Sequence, residues 1–231
     1  MGSGETPRSA DRADALRVGA LVLAAGAGRR FGGPKQLACV GGEPMVARVT
    51  RTALSVDRFD TVVVVTGARG DDVAAALPHA GERLARCAVW ADGIGASLAC
   101  GLAALGEVDA ALVLLGDQPL VDGALIRRVL ADGLPAIAGA EPPYDAVRPT
   151  GRGGDPGHPV LLGPAALAAA RTLHGDRGAL ASVDRARILS LELGEPGASF
   201  DVDQPEDLVA ARAMVRGLCV RGPEATVAAG R

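Results

Sequence analysis

A glycine-rich segment near the start of the chain carries several cations directly after an apolar run. The run LVLA (21–24) continues as AGAGRRFGGPKQL (25–37), which holds Arg29, Arg30 and Lys35 among its glycines. Glycines that follow a strand leave backbone N–H groups open to the close approach of an anion, and cations neutralise its charge. The segment therefore predicts a phosphate-binding loop.

Two common phosphate-binding patterns do not account for this segment. A dinucleotide fingerprint needs G-x-G-x-x-G, but the third glycine position counted from Gly26 is Phe31. A P-loop needs Gly-Lys-Ser/Thr, but Pro34 precedes Lys35 and Gln36 follows it. The pattern L-A-A-G-x-G-x-R-F-G-x-x-K belongs to neither class, and a glycine turn with solvated arginines remains an alternative at this point.

A second candidate for chemistry is the aspartate in AALVLLGDQPLV (110–121). Asp117 follows a buried strand, so we expect its carboxylate at the carboxyl edge of a sheet, where ligands of open α/β folds bind. Such a carboxylate is a hard oxygen ligand that suits Mg²⁺ beside a triphosphate. A role in a helix cap or an Asx-turn is the alternative interpretation.

The composition argues against several classes of function. The formal net charge is −3 without clustered lysines and arginines, and one Trp, one Tyr and three Phe are too few for base stacking. We therefore expect no nucleic-acid partner. The four cysteines are widely spaced without a C-x-x-C pair, which argues against a zinc site or a disulfide framework. Without a signal-peptide core or a run of membrane-spanning length, we expect a cytoplasmic protein with no membrane partner.

Apolar β-type runs alternate with alanine-rich helical stretches over most of the chain. Runs such as VVVV (62–65) are apolar on both faces, as in a sheet that helices cover on each side. We therefore predict a single-domain α/β fold with a mostly parallel, Rossmann-like sheet over 17–218, between a disordered lead-in (1–16) and a flexible tail (219–231). The proline-rich span 140–159 is predicted as the longest loop. Strands are predicted at 19–24, 61–67, 87–90, 110–117, 158–162, 186–193 and 198–202, and helices at 44–54, 71–77, 96–105, 123–130, 164–173 and 205–218.

In their order along the chain, these motifs resemble the molybdenum cofactor cytidylyltransferase-like nucleotidyltransferases, which have the nucleotide-diphospho-sugar transferase type of fold. The resemblance implies that the glycine loop wraps a nucleoside triphosphate, that Arg30 and Lys35 brace its phosphates as catalytic cations, and that catalytic Asp117 binds Mg²⁺ or Mn²⁺. WADGIGASLACGL (90–102) resembles the loop that contacts base and ribose in the wider superfamily, whereas Trp90 is interpreted as an ordinary buried residue at a strand end. The implied nucleotide-binding residues are Leu23, Ala24, Ala25, Gly26, Gly28, Lys35, Asp92, Gly93 and Ser97.

The second half of the chain resembles the acceptor side and the closing element of the same family. GDPGHPVLL (154–162) resembles the G-x-P motif, and GDRGAL (175–180) resembles G-D-x-G-A-R with Leu180 in place of the arginine. SFDVDQPEDL (199–208) resembles D-x-D-x-P-E-D, in which Asp201 and Asp203 would share one face of a strand. We favour Asp201 as the second metal ligand beside Asp117, while Asp203 stays open as a ligand or a cap. The implied acceptor-binding residues are His158, Pro159 and Asp176.

The reaction expected from this resemblance is transfer of CMP from CTP to molybdopterin, with release of pyrophosphate. A phosphate monoester has a second pKa near ~6, so the acceptor needs no catalytic base at neutral pH. Ala25 stands where the guanylyl branch has glycine, and its methyl group favours the smaller pyrimidine. A molybdoenzyme or its accessory chaperone is a further expected partner. The alternatives are an isoprenoid-precursor cytidylyltransferase, a molybdenum cofactor guanylyltransferase, a glycosyltransferase and a non-catalytic nucleotide-binding accessory protein for molybdoenzyme maturation.

Overall fold

The computed structural model describes residues 9–138, 142–151 and 153–220. No helix in these ranges is both long and apolar enough to cross a membrane. The strands in chain order are β1 (Val18–Ala24), β2 (Cys39–Val40), β3 (Glu43–Pro44), β4 (Thr61–Thr66), β5 (Arg83–Arg86), β6 (Ala110–Leu115), β7 (Ala146–Thr150), β8 (Val160–Leu162) and β9 (Ile188–Glu192). The helices are α1 (Ser9–Asp14), α2 (Met45–Leu54), α3 (Gly70–Ala76), α4 (Ile94–Leu105), α5 (Gly123–Ile137), α6 (Pro164–Ala170), α7 (Pro196–Ser199) and α8 (Pro205–Val220).

The main sheet has seven strands in the order β5-β4-β1-β6-β8-β7-β9. β1 lies between β4 and β6 and pairs in parallel with both, with Leu21 opposite Val63 on one side and Val113 on the other. β8 is antiparallel to both of its neighbours, and β7 and β9 are parallel to each other. The mostly parallel α/β fold is therefore confirmed, and the carboxyl ends of β1, β4 and β6 meet at one edge.

Helices cover both faces of this sheet because its central strands are apolar on both faces. Val22, Val64 and Leu112 face one core with residues of α2, α3 and α5. Leu21 and Val63 face the opposite core with residues of α4 and α6. Successive side chains of a strand point to opposite faces, so an uninterrupted apolar run such as 62–65 supplies both cores at once.

The amino-terminal segment differs from the predicted disordered lead-in. Residues 9–14 form α1, in which Ala13 is buried in the core that contains α5. Arg58 Nη2 donates to the carbonyl oxygens of Ala13 at 2.8 Å and Leu16 at 3.0 Å, which ties the end of α1 to the domain. The rest of the lead-in (1–8) and most of the tail (221–231) lie outside the described residues, and the bounds 17–218 stay a prediction.

Three predicted elements differ from the structure. The strand predicted at 87–90 lies four residues earlier in the structure, as β5. The sequence pattern did not indicate β5, because three of its four residues are exposed at the sheet edge and form no apolar run. The strand predicted at 198–202 is replaced by the short helix α7, which begins at Pro196, a favoured first residue of a helix. The predicted loop 140–159 contains β7, whose Ala146 and Val147 are buried between neighbouring strands although Pro149 disguises the pattern.

We expect Leu112→Ala to lower the free energy of unfolding by about 2–5 kcal/mol, because it opens a cavity at a fully buried position of the central sheet. Val209→Ala removes a side chain that is 66% exposed, so it should change stability by no more than ~0.5 kcal/mol. Urea unfolding followed by circular dichroism measures both variants. Equal midpoints for the two would contradict the central position of Leu112.

Candidate active site

A cavity of about 620 Å³ opens at the carboxyl ends of β1 and β6. Its volume falls in the range of small-molecule sites, roughly 300–1,000 Å³. Four segments form its walls: the end of β1 with the glycine loop, the turn before α4, the end of β6, and two acidic residues from the last third of the chain. The lining residues are Leu23, Ala25, Gly26, Ala27, Gly28, Arg29, Arg30, Phe31, Lys35, Trp90, Ala91, Asp92, Gly93, Ile94, Ser97, Leu115, Asp117, Asp176 and Asp203.

The glycine loop closes on itself after β1. Gly28 has φ 65, and its carbonyl oxygen accepts from Phe31 N at 3.0 Å and from Gly33 N at 3.2 Å. A Cβ atom at Gly28 would lie 1.8 Å from the carbonyl oxygen of Gly33, so no side chain fits there. This closure brings the exposed Arg29 and Arg30 to the wall of the cavity.

Lys35 lies between two carboxylates that come from distant parts of the chain. Its Nζ is 2.6 Å from Asp117 Oδ2 and 2.6 Å from Asp203 Oδ1. Burial disfavours the charge on Lys35, but the two carboxylates outweigh this and raise its pKa above the ordinary value. The hydrogen bond from Lys35 holds the pKa of Asp203 below its usual range. The lysine is therefore a permanent cation at neutral pH.

Asp201 has a different environment from Asp203, although the two were predicted to share a face. The predicted strand is absent here, so its alternation does not apply, and Asp201 accepts a hydrogen bond from the buried Gln118 amide. Partial burial of the carboxyl group raises the pKa of Asp201, and the nearby Asp117 and Asp203 charges act in the same direction. Asp203 lines the cavity, whereas Asp201 does not. The choice of Asp201 as a metal ligand stays a prediction.

The carboxylate of Asp117 fits a divalent cation. Its Oδ1 is buried and has no hydrogen-bond partner among the described residues, whereas its Oδ2 contacts Lys35. Within 9–138, 142–151 and 153–220, no group of three or more His, Cys, Asp or Glu side chains could by itself hold a metal ion. Mg²⁺ is commonly bound through one or two carboxylates together with substrate phosphates and water. The donor set therefore fits a cation shared with a phosphate rather than a closed protein cage.

The turn before α4 is joined to the loop that carries Asp176. Gly93 has φ 118, and a Cβ atom there would lie 2.4 Å from the Gly175 carbonyl group. Gly95 N donates to Gly175 O at 3.0 Å, so the two loops are in direct contact. The base-side and acceptor-side loops of the predicted site therefore form one continuous wall. Trp90, interpreted as a strand-end residue, instead lies half-buried in this turn and lines the cavity.

Comparison with known proteins identifies the family of this chain. The model of the MobA-like NTP transferase domain matches residues 20–191. The chain belongs to this MobA-like NTP transferase family. The matched range includes the glycine loop, Asp117 and the loop at Gly175, and it ends before Asp203.

Two relatives of the MobA-like transferase are informative. Bifunctional protein GlmU of Chromobacterium violaceum is 38% identical over 123 residues, which is 50% of this chain and 25% of that protein. The chain thus spans about a quarter of the length of this curated relative. The crystal structure of Rv0371c from Mycobacterium tuberculosis H37Rv superposes with a TM-score of 0.71 at 26% identity, covering 86% of this chain and 98% of that one. Rv0371c has also been crystallised with manganese, and that structure gives a TM-score of 0.68, 26% identity and coverage of 85% and 98%.

The structure brings most of the predicted site residues of the MobA-like transferase into the cavity. The exception among the predicted nucleotide-binding residues is Ala24, whose side chain packs in the core. Of the predicted acceptor residues, Asp176 lines the cavity, whereas His158 and Pro159 are not among its lining residues. The roles of these residues stay predictions.

His158 is held in a neutral form next to an arginine. Burial and the neighbouring Arg148 charge lower the pKa of His158 to about 4, and its backbone N–H donates to Ala198 O at 2.7 Å. Arg148 Nε is buried and has no hydrogen-bond partner in the described part of the chain. His158 therefore offers a neutral ring at physiological pH.

Sequence reasoning missed two buried glutamines of the MobA-like transferase. Gln36 donates to backbone oxygens of the glycine loop, and Gln118 donates to a carboxylate 83 residues away. Neither partner leaves a local signal. The one clue was position, since each glutamine directly follows a predicted catalytic residue, Lys35 or Asp117.

We expect Gly28→Ala to weaken CTP binding by at least ~10-fold, because the added methyl group collides with the Gly33 carbonyl oxygen and opens the closed loop. Gly32→Ala is the matched control: Gly32 has φ 84, so alanine is strained there as well, but a Cβ atom would meet none of the described atoms within 4 Å. Calorimetric titration with CTP and Mg²⁺ measures both. Equal affinities of the two variants would show that closure of the loop is not needed for binding.

Proposed function

We propose that this MobA-like transferase transfers CMP from CTP to the phosphate group of molybdopterin and releases pyrophosphate. The observation that carries the proposal is the contact of Lys35 with Asp117 at 2.6 Å inside a cavity bounded by the glycine loop. A cation, a metal-binding carboxylate and the backbone amides of a glycine loop together suit a triphosphate. Molybdopterin as acceptor and CTP as donor come from the sequence resemblance.

The reaction needs alignment and charge neutralisation more than proton transfer. A phosphate oxygen of the acceptor attacks the α-phosphorus, a new O–P bond forms, and the bond to the bridging oxygen breaks so that pyrophosphate leaves with that electron pair. The acceptor monoester is largely a dianion already, since its second pKa is near ~6. Within this scheme the loop amides and Arg30 hold the triphosphate, and Lys35 neutralises charge that develops on the oxygens.

Lys35 can serve the phosphates while it remains paired with the protein. An ammonium group has three N–H donors, and two of them are used by Asp117 and Asp203. The third is available to a phosphate oxygen in the cavity that Lys35 lines. The two carboxylates thus orient the Lys35 ammonium group and leave one of its N–H donors for a phosphate oxygen.

A divalent cation, Mg²⁺ or Mn²⁺, is part of the proposal. Asp117 would hold it through the buried Oδ1, with Asp201 or Asp203 as the second carboxylate. When bound, the cation neutralises phosphate charge and favours departure of pyrophosphate. The manganese complex of Rv0371c supports this choice of ion. We place the reaction in the cytoplasm, with a molybdoenzyme or its accessory chaperone as recipient of the product.

The decisive experiment offers the purified protein each nucleoside triphosphate with Mg²⁺ and molybdopterin, and weighs the product by mass spectrometry. We expect the cytosine dinucleotide of molybdopterin and one pyrophosphate per product. Nucleotide binding without pyrophosphate release would favour the accessory-protein alternative. Product formed only with GTP would favour the guanylyltransferase alternative.

We expect Asp117→Ala to lower kcat by at least ~10²-fold with the fold intact, because loss of a metal ligand costs several kcal/mol at the transition state. Asp132→Ala is the control, since Asp132 pairs with Arg128 on the outer surface of α5. Pyrophosphate release at saturating Mg²⁺ measures both variants, and circular dichroism checks their folding. Near wild-type turnover of Asp117→Ala would reduce Asp117 to a turn residue.

We expect Ala25→Gly to relax discrimination against GTP. Ala25 is buried at the cavity wall, and removal of its methyl group makes room for a purine. One methyl group is worth ~1–3 kcal/mol, so the ratio of kcat/KM for CTP to that for GTP should fall by roughly 10- to 200-fold at most. An unchanged ratio would show that Ala25 does not read the base, and a wild type that prefers GTP would reject the cytidylyl assignment.

A further inference from the structure

Gln36 packs its side chain against the glycine loop from the protein interior. It belongs to a single 3-10 turn, Lys35–Leu37, and only 4% of the residue is exposed. Its Nε2 donates to the carbonyl oxygens of Ala24 at 3.1 Å and Gly26 at 3.0 Å. Since both neighbours are acceptors, the NH₂ end of the amide must face them, and both of its donors are used.

These hydrogen bonds determine the direction of the peptide units in the loop. In a planar trans peptide the N–H group points opposite to the C=O group of the same unit. Gln36 therefore directs the N–H groups of Ala25 and Ala27 away from itself. The carbonyl oxygen of Ala25 accepts from Ala68 N at 3.1 Å, so the segment is held by other parts of the chain at three successive carbonyls.

We propose that Gln36 is a positioning residue that aims the backbone N–H groups of the glycine loop at the triphosphate, an inference that rests on the proposed function. Gly26 and Ala27 line the cavity together with Lys35, the residue next to Gln36. The Gln36 side chain thus orients the N–H donors of the loop and fixes the turn that carries Lys35. Donors that are already oriented bind an anion without reorganising.

An apolar residue at position 36 would remove this donor from both carbonyl oxygens, of which the Ala24 contact is buried and the Gly26 contact is partly buried. A carbonyl oxygen that is shielded from water and loses its donor is unfavourable, so the peptide units would turn toward other donors. Their N–H groups would then leave the direction that faces the phosphates. The expected defect is confined to phosphate binding, whereas a purely structural glutamine would weaken every ligand alike.

The test uses the full chain with Gln36→Met, which keeps the length of the side chain and removes its donors. Calorimetry in EDTA compares inorganic tripolyphosphate, which has no base or ribose, with cytidine, which has no phosphate. We expect the Kd for tripolyphosphate to rise by roughly 10-fold, while the Kd for cytidine changes by less than about twofold. Thr150→Val is the matched control: Thr150 is equally buried and its hydroxyl also donates to a backbone carbonyl oxygen, that of Leu191, but neither residue lines the cavity, so the tripolyphosphate Kd should stay at the wild-type value.

A second measurement does not depend on the variant folding. In ¹H–¹⁵N spectra of the wild-type protein, tripolyphosphate should shift the amide proton of Ala27 downfield. An unmoved Ala27 resonance, an equal loss of both ligands in Gln36→Met, or no tripolyphosphate binding by the wild type would each overturn the inference. Because this probe carries neither base nor acceptor, failure of CMP transfer with a Gln36-dependent tripolyphosphate Kd would reject the proposed function alone.

Discussion

The position of the Lys35 ammonium group between two carboxylates is the constraint on which the site depends. It connects the glycine loop to Asp117 at the end of β6 and to Asp203 before α8, with both contacts at 2.6 Å. The Asp117 contact is the more shielded one, since both side chains are about one-fifth exposed, whereas the Asp203 side chain is 50% exposed and its charge is screened by water. The pair with Asp117 therefore contributes most of the constraint.

Packing away from the charges places Asp203 within reach of this lysine. Val202 N donates to Asp117 O at 3.2 Å, which brings the segment directly alongside the end of β6. The side chain of Val202 is buried in a small apolar cluster with Val40 of β2 and with residues of α8. The Asp207 carboxylate accepts from the backbone N–H of Asp203 at 2.9 Å and so holds the entry to α8. The acidic side of the cavity thus depends on an apolar contact and a helix start.

The contact between Gly93 and Gly175 gives the cavity its second fixed wall. Because a Cβ atom at Gly93 would collide with the Gly175 carbonyl group, the two backbones approach more closely than any side chain allows. Asp92 and Asp176, one from each loop, consequently line the same cavity. This contact gives the base side and the acceptor side of the proposed reaction a common support.

Local sequence patterns were enough to predict the fold class and several residues of the candidate site. The parallel sheet follows from strands that are apolar on both faces. The glycine loop and Asp117 are recognisable because they come directly after apolar strands, and Lys35 is recognisable because it ends the same glycine-rich segment. These patterns did not predict the edge strand β5, because its exposed residues form no apolar run. The alternation of Asp201 and Asp203 suggested a shared strand face, but the segment is not a strand.

Tertiary structure alone decided which partners these side chains find. Lys35 and Asp203 are separated by 168 residues, and Gln118 and Asp201 by 83. Their contacts depend on how α8 and the loop after β6 pack together, and no local spacing encodes that packing. The same holds for Gln36, whose partners are carbonyl oxygens that every residue possesses. Residue type and spacing thus determined which groups could do chemistry, while long-range packing decided where each one lies, because hydrogen bonds and ion pairs act over a few ångströms in space irrespective of distance along the chain.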